Sequence, residues 1–161
     1  MYDPSTIFRT ALLLVTVVAT SGCTSLGLQT PVIERYLACP HDSVWKEALD
    51  TLQAYPMLQK DKEDGLIETD WREQAASQHT YGLLGRSGLT NKERTRVTFS
   101  MKTIGEGAVF VRFTEQRQYW GFTGGARIYQ WTPIEPSQNF LNGLMNQLTA
   151  QLDKEGCIVE S

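Results

Sequence analysis

The chain has 161 residues, with 15 Lys and Arg against 18 Asp and Glu, a formal net charge of −3, and 41% apolar residues. This composition excludes collagen-like, disordered, coiled-coil and polytopic membrane proteins. Because the chain as a whole carries no basic excess, the composition also argues against nucleic acid as the main partner.

The first 22 residues have the organisation of an export signal. A short start that carries Arg9 leads into an apolar run from Ala11 to Ala19. This run is too short for a bilayer-spanning helix, which needs about 20 apolar residues. The segment ends with two small residues, Ser21 and Gly22, directly before Cys23.

The small residues before Cys23 resemble the lipobox of bacterial lipoproteins. The resemblance implies a lipoprotein signal peptide at residues 1–22, acyl chains on Cys23 and a lipidated tether at residues 23–31. Each buried methylene contributes about 0.8 kcal/mol, so two or three chains make a permanent anchor. With Thr24 next, the resemblance implies the outer membrane, with the globular domain facing the periplasm. The alternative is an ordinary secretory signal with a cysteine nearby by chance.

Two further cysteines, Cys39 and Cys157, make an even number in an oxidising compartment. A disulfide between them would close a loop of more than 100 residues, worth about 4–5 kcal/mol on the chain-entropy model. Two buried free thiols are an equally good interpretation, because the sequence cannot place the two Cα atoms within bridging distance.

The first half of the domain begins with a predicted strand at Val32–Ala38. Asp42 or Ser43 is the predicted N-cap of a helix whose apolar residues recur at helical spacing. Asp64-Gly65 is a strong hairpin signal and is predicted to join the next two strands.

The middle of the chain combines a long irregular segment with two clear strands. Residues 73–92 contain three glycines and have no clear period, which is typical of a functional or disordered loop. Strict alternation predicts strands at 94–103 and 108–118, each with one face in the core and one in water. A glycine-rich turn at 121–125 and a short strand at 127–131 follow.

A long C-terminal helix is predicted to begin near Pro136 and Ser137 and to end at Gly156. Its apolar stripe consists of Phe140, Leu141, Leu144, Met145, Leu148 and Leu152. Residues 32–161 therefore predict an α+β domain, in which an antiparallel sheet of five to six strands packs against two helices.

Charge is unevenly distributed along this domain. Residues 42–73 contain nine acids and four bases, whereas residues 86–127 contain eight bases and three acids. Charge pairing across neighbouring strands is one explanation, and a docking surface is the other.

No strong catalytic motif is present, and we predict no enzyme activity, cofactor or metal site. Cys39 and His41 place a thiol and an imidazole close in sequence, but nucleophile pairs are usually assembled by the fold. Glu68 and Asp70 lie two apart on a predicted strand, which is the minimum for a carboxylate pair in glycoside chemistry. Surface acids in alternation with apolar residues are a much commoner explanation.

Apolar side chains in loops are the more unusual feature. If the strands at 94–103 and 108–118 form a hairpin, two apolar loops share one rim of the sheet, next to several arginines and lysines. Aromatic residues among basic ones are typical of a protein-binding site. The alternative is that the loops cap the core. The predicted partner-binding residues are Tyr81, Leu83, Leu84, Leu89, Tyr119, Trp120 and Phe122.

The first helix and hairpin resemble a known family. Val44-Trp45 opens the helix, the run from Asp64 to Trp71 follows, and Arg94-Thr95-Arg96-Val97 begins the next strand. This pattern is similar to the BamC-type lipoproteins of the outer-membrane β-barrel assembly machinery. The resemblance implies a helix-grip domain, here as a single copy, and a non-catalytic accessory role in contact with other envelope-assembly lipoproteins or barrel proteins.

We therefore expect an outer-membrane-anchored lipoprotein that acts through protein contacts. A periplasmic carrier for a lipid or hydrophobic ligand is the alternative, because a long helix over a curved sheet can enclose an apolar cavity. A cell-wall hydrolase that uses Glu68 and Asp70 is the third hypothesis.

Overall fold

The computed structural model describes residues 31–76, 92–123 and 128–159, and in this part of the chain one eight-stranded antiparallel sheet packs against two helices. This arrangement confirms the predicted α+β, helix-grip-like class. In chain order the elements are β1 Val32–Ala38, α1 His41–Thr51, β2 Met57–Asp61, β3 Leu66–Thr69, β4 Arg72–Ala75, β5 Lys92–Gly105, β6 Ala108–Thr123, β7 Ile128–Ile134, α2 Gln138–Lys154 and β8 Ile158–Val159.

Strands β5 and β6 form the centre of the sheet and pair from Lys92 opposite Trp120 to Gly105 opposite Ala108. On the outer side of β5, strands β3 and β4 lie one after the other, and on the outer side of β6 strands β1 and β7 do the same. Strands β2 and β8 complete the sheet at β3 and β1. We call the end built from β4, β7 and the adjoining parts of β5 and β6 the distal arm. It comprises residues 72–75, 92–96, 117–123 and 128–134.

The sheet has more strand than the sequence predicted. Strands β4 and β8 are additional, and β6 continues to Thr123 through most of the segment predicted as a glycine-rich turn at 121–125. That continuation pairs with β7, as Gly121 lies opposite Gln130 and Thr123 opposite Ile128. Because the hydrogen-bonding partner of this segment is a separate strand, β7, the local glycine content does not indicate where β6 ends.

The hairpin between β2 and β3 follows the prediction at Asp64-Gly65. Gly65 has φ +63°, a left-handed conformation that glycine adopts without steric cost. The Gly65 carbonyl oxygen accepts a hydrogen bond from Met101 N at 2.8 Å. A Cβ atom at this position would collide with the carbonyl oxygen and side chain of Met101. Gly65 therefore makes the turn and lets it pack closely on β5.

The two helices begin differently. Helix α1 starts at His41, with Pro40 in the N-cap position and no side-chain cap, so the predicted cap at Asp42 or Ser43 was wrong. Pro40 has φ −61°, an angle that its ring fixes and that is compatible with a helix start. The helix therefore begins directly after Pro40, before Asp42 and Ser43. Helix α2 follows the prediction, because Ser137 Oγ accepts a hydrogen bond from Phe140 N at 3.3 Å.

The core lies between the helices and one face of the sheet. Five α2 side chains, Leu141, Leu144, Met145, Leu148 and Leu152, are buried. They belong to one cluster with the inward side chains of α1 and of strands β1, β3, β5 and β6. Each fully buried Leu or Phe contributes about 1.5–3 kcal/mol relative to an exposed one. The helices thus cover one face of the sheet, and none of the described elements packs on the other, which we call the open face.

Candidate functional site

The open face of the sheet carries the even-numbered side chains of β5 and β6. Successive side chains of a strand point to opposite faces, and the odd residues Val97, Phe99 and Phe113 are buried in the core. In the distal arm, the open face gathers several aromatic rings around two arginines. We define this surface, the aromatic–arginine face, as Trp71, Arg94, Arg96, Gln118, Trp120, Tyr129 and Trp131.

Arg94 lies at the centre of the aromatic–arginine face. Its guanidinium carbon is 4.4 Å from the ring centroid of Trp71 and 4.3 Å from that of Trp131. Gln118 Oε1 accepts hydrogen bonds from Arg94 Nε at 2.8 Å and from Nη2 at 2.6 Å. A cation over the face of Trp is attracted by the ring quadrupole, by about 0.5–2 kcal/mol for each ring. Two rings and one amide therefore hold this guanidinium in place.

The neighbouring cations of this face each have a carboxylate partner. Arg96 Nη1 lies 3.1 Å from Glu68 Oε1, and its Nη2 donates to Gln116 Oε1 at 2.8 Å. Lys92 Nζ lies 3.3 Å from Glu73 Oε2. These pairs follow the cross-strand explanation of the uneven charge. Among the described residues, no carboxylate lies within 4.0 Å of the Arg94 nitrogens to form such a pair.

Trp120 extends the aromatic surface toward the end of the arm. Its ring centroid lies 5.3 Å from that of Trp131 and 6.4 Å from that of Tyr129. Trp120 is 37% exposed and Tyr129 is 43% exposed. Large apolar side chains that are exposed in a group, with arginine beside them, have the composition of a binding hot spot.

The structure locates part of the predicted apolar rim. Trp120 lies on the open face, whereas Tyr119 precedes it on β6 and points to the opposite face, where it is half-buried. The backbone of Phe122 pairs with Tyr129. The other predicted partner-binding residues, Tyr81, Leu83, Leu84 and Leu89, lie outside the described residues, as does the predicted lipidation site Cys23.

Of the seven residues of the aromatic–arginine face, the sequence predicted only Trp120. The central group that it missed is Arg94 with Trp71 and Trp131. Trp71 ends the hairpin run that begins at Asp64, and its ring lies on the open face against Arg94 and Arg96. The alternation of β5 and β6 could have indicated the shared face of Arg94 and Gln118. Trp131 needed the register of β7 against β6, which the sequence pattern does not supply.

A buried polar cluster lies on the helix side of the distal arm. Glu93 Oε2 and Arg117 Nη2 form an ion pair at 2.5 Å, and Glu93 and Glu115 are both buried. Glu115 accepts hydrogen bonds from Thr95 Oγ1 at 2.6 Å and from Ser137 N at 2.5 Å. The carboxylate of Glu115 therefore ties the start of α2 to the central strands.

Burial raises the pKa of Glu115 above its ordinary value, because a carboxylate loses hydration inside the protein. The hydrogen bonds from Thr95 and Ser137 and the positive charge of Arg117 oppose this effect.

Beside the cluster, a cleft of about 850 Å³ opens where β1 and β7 leave a gap along β6. Its lining includes Pro31, Val32, Glu115, Arg117, Ile134 and Pro136.

The structure describes both catalytic candidates, the pair Glu68 and Asp70 and the pair Cys39 and His41. Strand β3 ends at Thr69, so Glu68 and Asp70 do not share one strand face, and Glu68 is paired with Arg96. Cys39 is joined to Cys157 in a disulfide with their Cα atoms 5.2 Å apart. The sulfur of Cys39 is therefore engaged and is not a free thiol beside His41. Among the described residues, no group of three or more His, Cys, Asp and Glu side chains could hold a metal ion.

None of the helices in the described part of the chain combines the length and apolar content needed to cross a bilayer. No known protein-family model matches the chain, and no curated protein matches its sequence.

Proposed function

We propose that this protein is a lipid-anchored, non-catalytic lipoprotein of the outer membrane whose periplasmic domain acts by binding another protein through the aromatic–arginine face. The observation that carries the proposal is the position of Arg94 between Trp71 and Trp131 on the open face of the sheet. Its role would be that of an accessory factor in the assembly of outer-membrane β-barrel proteins.

The composition and rigidity of this face favour protein contact. Trp, Tyr and Arg are the residues most enriched among interface hot spots. The rings of Trp120, Tyr129 and Trp131 lie on hydrogen-bonded strands, and Gln118 holds the central guanidinium of Arg94. A surface that is already ordered loses little side-chain entropy on binding, so more of the contact energy appears as affinity.

The anchor would place this face close to the membrane. Cys23 and Pro31 are eight residues apart, which spans at most about 29 Å when the chain is fully extended. The chain enters the fold at β1, where Val32 pairs with Thr114 of β6, just before β6 enters the distal arm. A partner reached by this domain would therefore lie near the inner leaflet, as expected for a barrel protein or another envelope-assembly lipoprotein.

Affinity capture after crosslinking in intact envelopes tests the proposal. We expect the wild-type chain to recover barrel-assembly proteins and the Trp120→Ala variant to lose them while it remains folded. Tyr36→Ala is the matched control, because Tyr36 is an exposed aromatic residue on β1, away from the distal arm. Equal recovery by Trp120→Ala and the wild type would show that this face does not bind the partner.

Lipidation is tested separately by mass spectrometry of the N-terminal peptide. The expected mass is that of an acylated Cys23, and the Cys23→Ala variant should lose both the acyl mass and stable membrane attachment. An unmodified Cys23 in the wild-type chain would contradict the anchor without bearing on the binding face.

Carriage of a hydrophobic ligand is a second proposal, and the cleft between β1 and β7 favours it. The interface between α2 and the sheet is filled by buried side chains, so a ligand would have to bind elsewhere. The cleft of about 850 Å³ beside Ile134 and Pro136 has the volume of a small-molecule site. Native mass spectrometry of the purified protein should then detect a bound lipid, and repeated spectra of the bare protein would exclude this role.

A further inference from the structure

Among the described residues, Arg94 is the cation of the aromatic–arginine face that forms no ion pair with a carboxylate. Three cations of the distal arm, Lys92, Arg94 and Arg96, lie at even positions of β5 and point to the open face. Glu73 pairs with Lys92 and Glu68 pairs with Arg96. Glu73 lies opposite Arg94 in the register of β4 and β5, but its carboxylate is directed to Lys92, and within the described part of the chain no carboxylate lies within 4.0 Å of the Arg94 nitrogens.

The wider surroundings of Arg94 are also basic. The distal arm contains five Arg and Lys residues against two Glu residues, a net charge of +3, although the whole chain carries −3. The arm will therefore attract acidic groups and repel basic ones at short range.

The environment of Arg94 suits recognition of a carboxylate. Trp71 and Trp131 cover the guanidinium with apolar rings, which strengthens electrostatic interactions at that point. Gln118 Oε1 accepts one hydrogen bond from Arg94 Nε and one from Arg94 Nη2. A guanidinium has five N–H donors, so three remain. The remaining donors of a fixed guanidinium are suited to a carboxylate, which accepts paired hydrogen bonds from arginine.

We infer that the partner is a protein segment in which Asp or Glu side chains alternate with apolar ones, with a carboxylate on Arg94 and apolar groups against Trp120 and Tyr129. This inference rests on the proposed protein-binding function and specifies the chemistry of the partner. The rings of Trp120 and Trp131 lie 5.3 Å apart on two paired strands beside arginine, and aromatic and arginine side chains in this arrangement are enriched at protein–protein interfaces, which favours a protein segment over a lipid surface.

Tryptophan fluorescence of the full chain in neutral detergent provides the test. The probe is a pentapeptide that alternates glutamate and phenylalanine, with a control peptide in which glutamine replaces glutamate. Because a charge-assisted contact with arginine is worth about 1.5–3 kcal/mol, we expect the acidic peptide to bind at least about tenfold more tightly. Its affinity should fall as the salt concentration rises. Equal affinities for the two peptides would overturn the inference without requiring any variant.

Arg94→Lys refines the test, because it keeps the positive charge but removes the planar group that donates paired hydrogen bonds to a carboxylate. We expect the affinity for the acidic peptide to fall at least about fivefold. Arg112→Lys is the matched control, because Arg112 also lies on the open face but pairs with Glu34 at 2.6 Å, and it should leave the affinity unchanged. An equal effect of both variants would reject the specific role of Arg94.

Phosphatidylglycerol vesicles are the alternative probe. A fluorescence shift with these vesicles, together with no preference for the acidic peptide, would replace the protein segment with an anionic lipid surface. None of these measurements depends on acylation of Cys23. A failure of the anchor is therefore distinguishable from a failure of the inferred partner chemistry.

Discussion

The disulfide between Cys39 and Cys157 closes almost the whole domain into one covalent loop. Cys39 follows β1, and Cys157 follows α2 just before β8. Both residues are buried and belong to the core cluster. The bond therefore joins the first strand to the end of the last helix, and its removal leaves their association to the core packing and to the short pairing of β1 with β8.

The size of the effect follows from the length of the loop. The two cysteines are 118 residues apart, and the chain-entropy model gives about 5 kcal/mol at 25 °C for a loop of this length. A domain of this size typically has a free energy of unfolding of about 6–20 kcal/mol. We therefore expect the Cys39→Ala/Cys157→Ala variant to lose about 3–5 kcal/mol, which ranges from about one seventh of the stability at the upper end of this range to one half or more at the lower end.

Urea unfolding followed by circular dichroism measures this loss. Reduction of the wild-type protein is the matched control, because it opens the loop but keeps both sulfur atoms in the core. The reduced wild type and the double variant should have similar unfolding midpoints if loop closure dominates. A loss below about 1 kcal/mol in both samples would refute the argument from loop closure.

Three smaller predictions concern stability. Burial raises the pKa of Glu115, so the folded chain holds this proton more tightly than the unfolded chain. The stability that the proton contributes is complete below the unfolded-state pKa of Glu115 and is lost as pH rises through its folded-state pKa. We therefore expect the wild type to lose stability relative to Glu115→Gln as the pH rises from about 4 toward neutrality. Urea unfolding at a series of pH values measures this difference. Gly65→Ala should cost more than about 2 kcal/mol, whereas Gly107→Ala, with a similar φ of +71° but open space around it, should cost about 1 kcal/mol. Ser137→Ala should cost about 1 kcal/mol as a lost N-cap, and Ser43→Ala less than about 0.5 kcal/mol, because Ser43 caps no helix.

The sequence predicted the elements that have a strong local pattern. Alternation identified β5 and β6, helical spacing identified both helices, and the Asp64-Gly65 signal identified the β2–β3 turn. Two short strands, β4 and β8, were missed, because each depends on a partner strand far away in sequence rather than on its own residues. The cap of α1 was missed for a different reason: the helix begins directly after Pro40, before the polar residues Asp42 and Ser43.

The candidate site was only partly predictable. The sequence predicted Trp120 in an apolar loop at the rim of the sheet, whereas the structure places it on β6 with 37% of its surface exposed. The central group, Arg94 between Trp71 and Trp131, combines residues from the segment after β3, from β5 and from β7. Only the strand register brings them together, and alternation within one strand does not define the register between strands.

The β5–β6 hairpin contributes side chains both to the core and to the aromatic–arginine face. Its odd residues pack against the helices and its even residues form the open face, so one register fixes both sets of side chains. A slip of one residue would exchange the two faces and place Arg94 against the helices, at a large cost in free energy. The core packing that stabilises the fold therefore also holds Arg94 and Trp120 at fixed positions. For this reason, we expect substitutions of exposed even-numbered residues to reduce binding while the core remains folded. The binding tests require variants that lose affinity without losing stability.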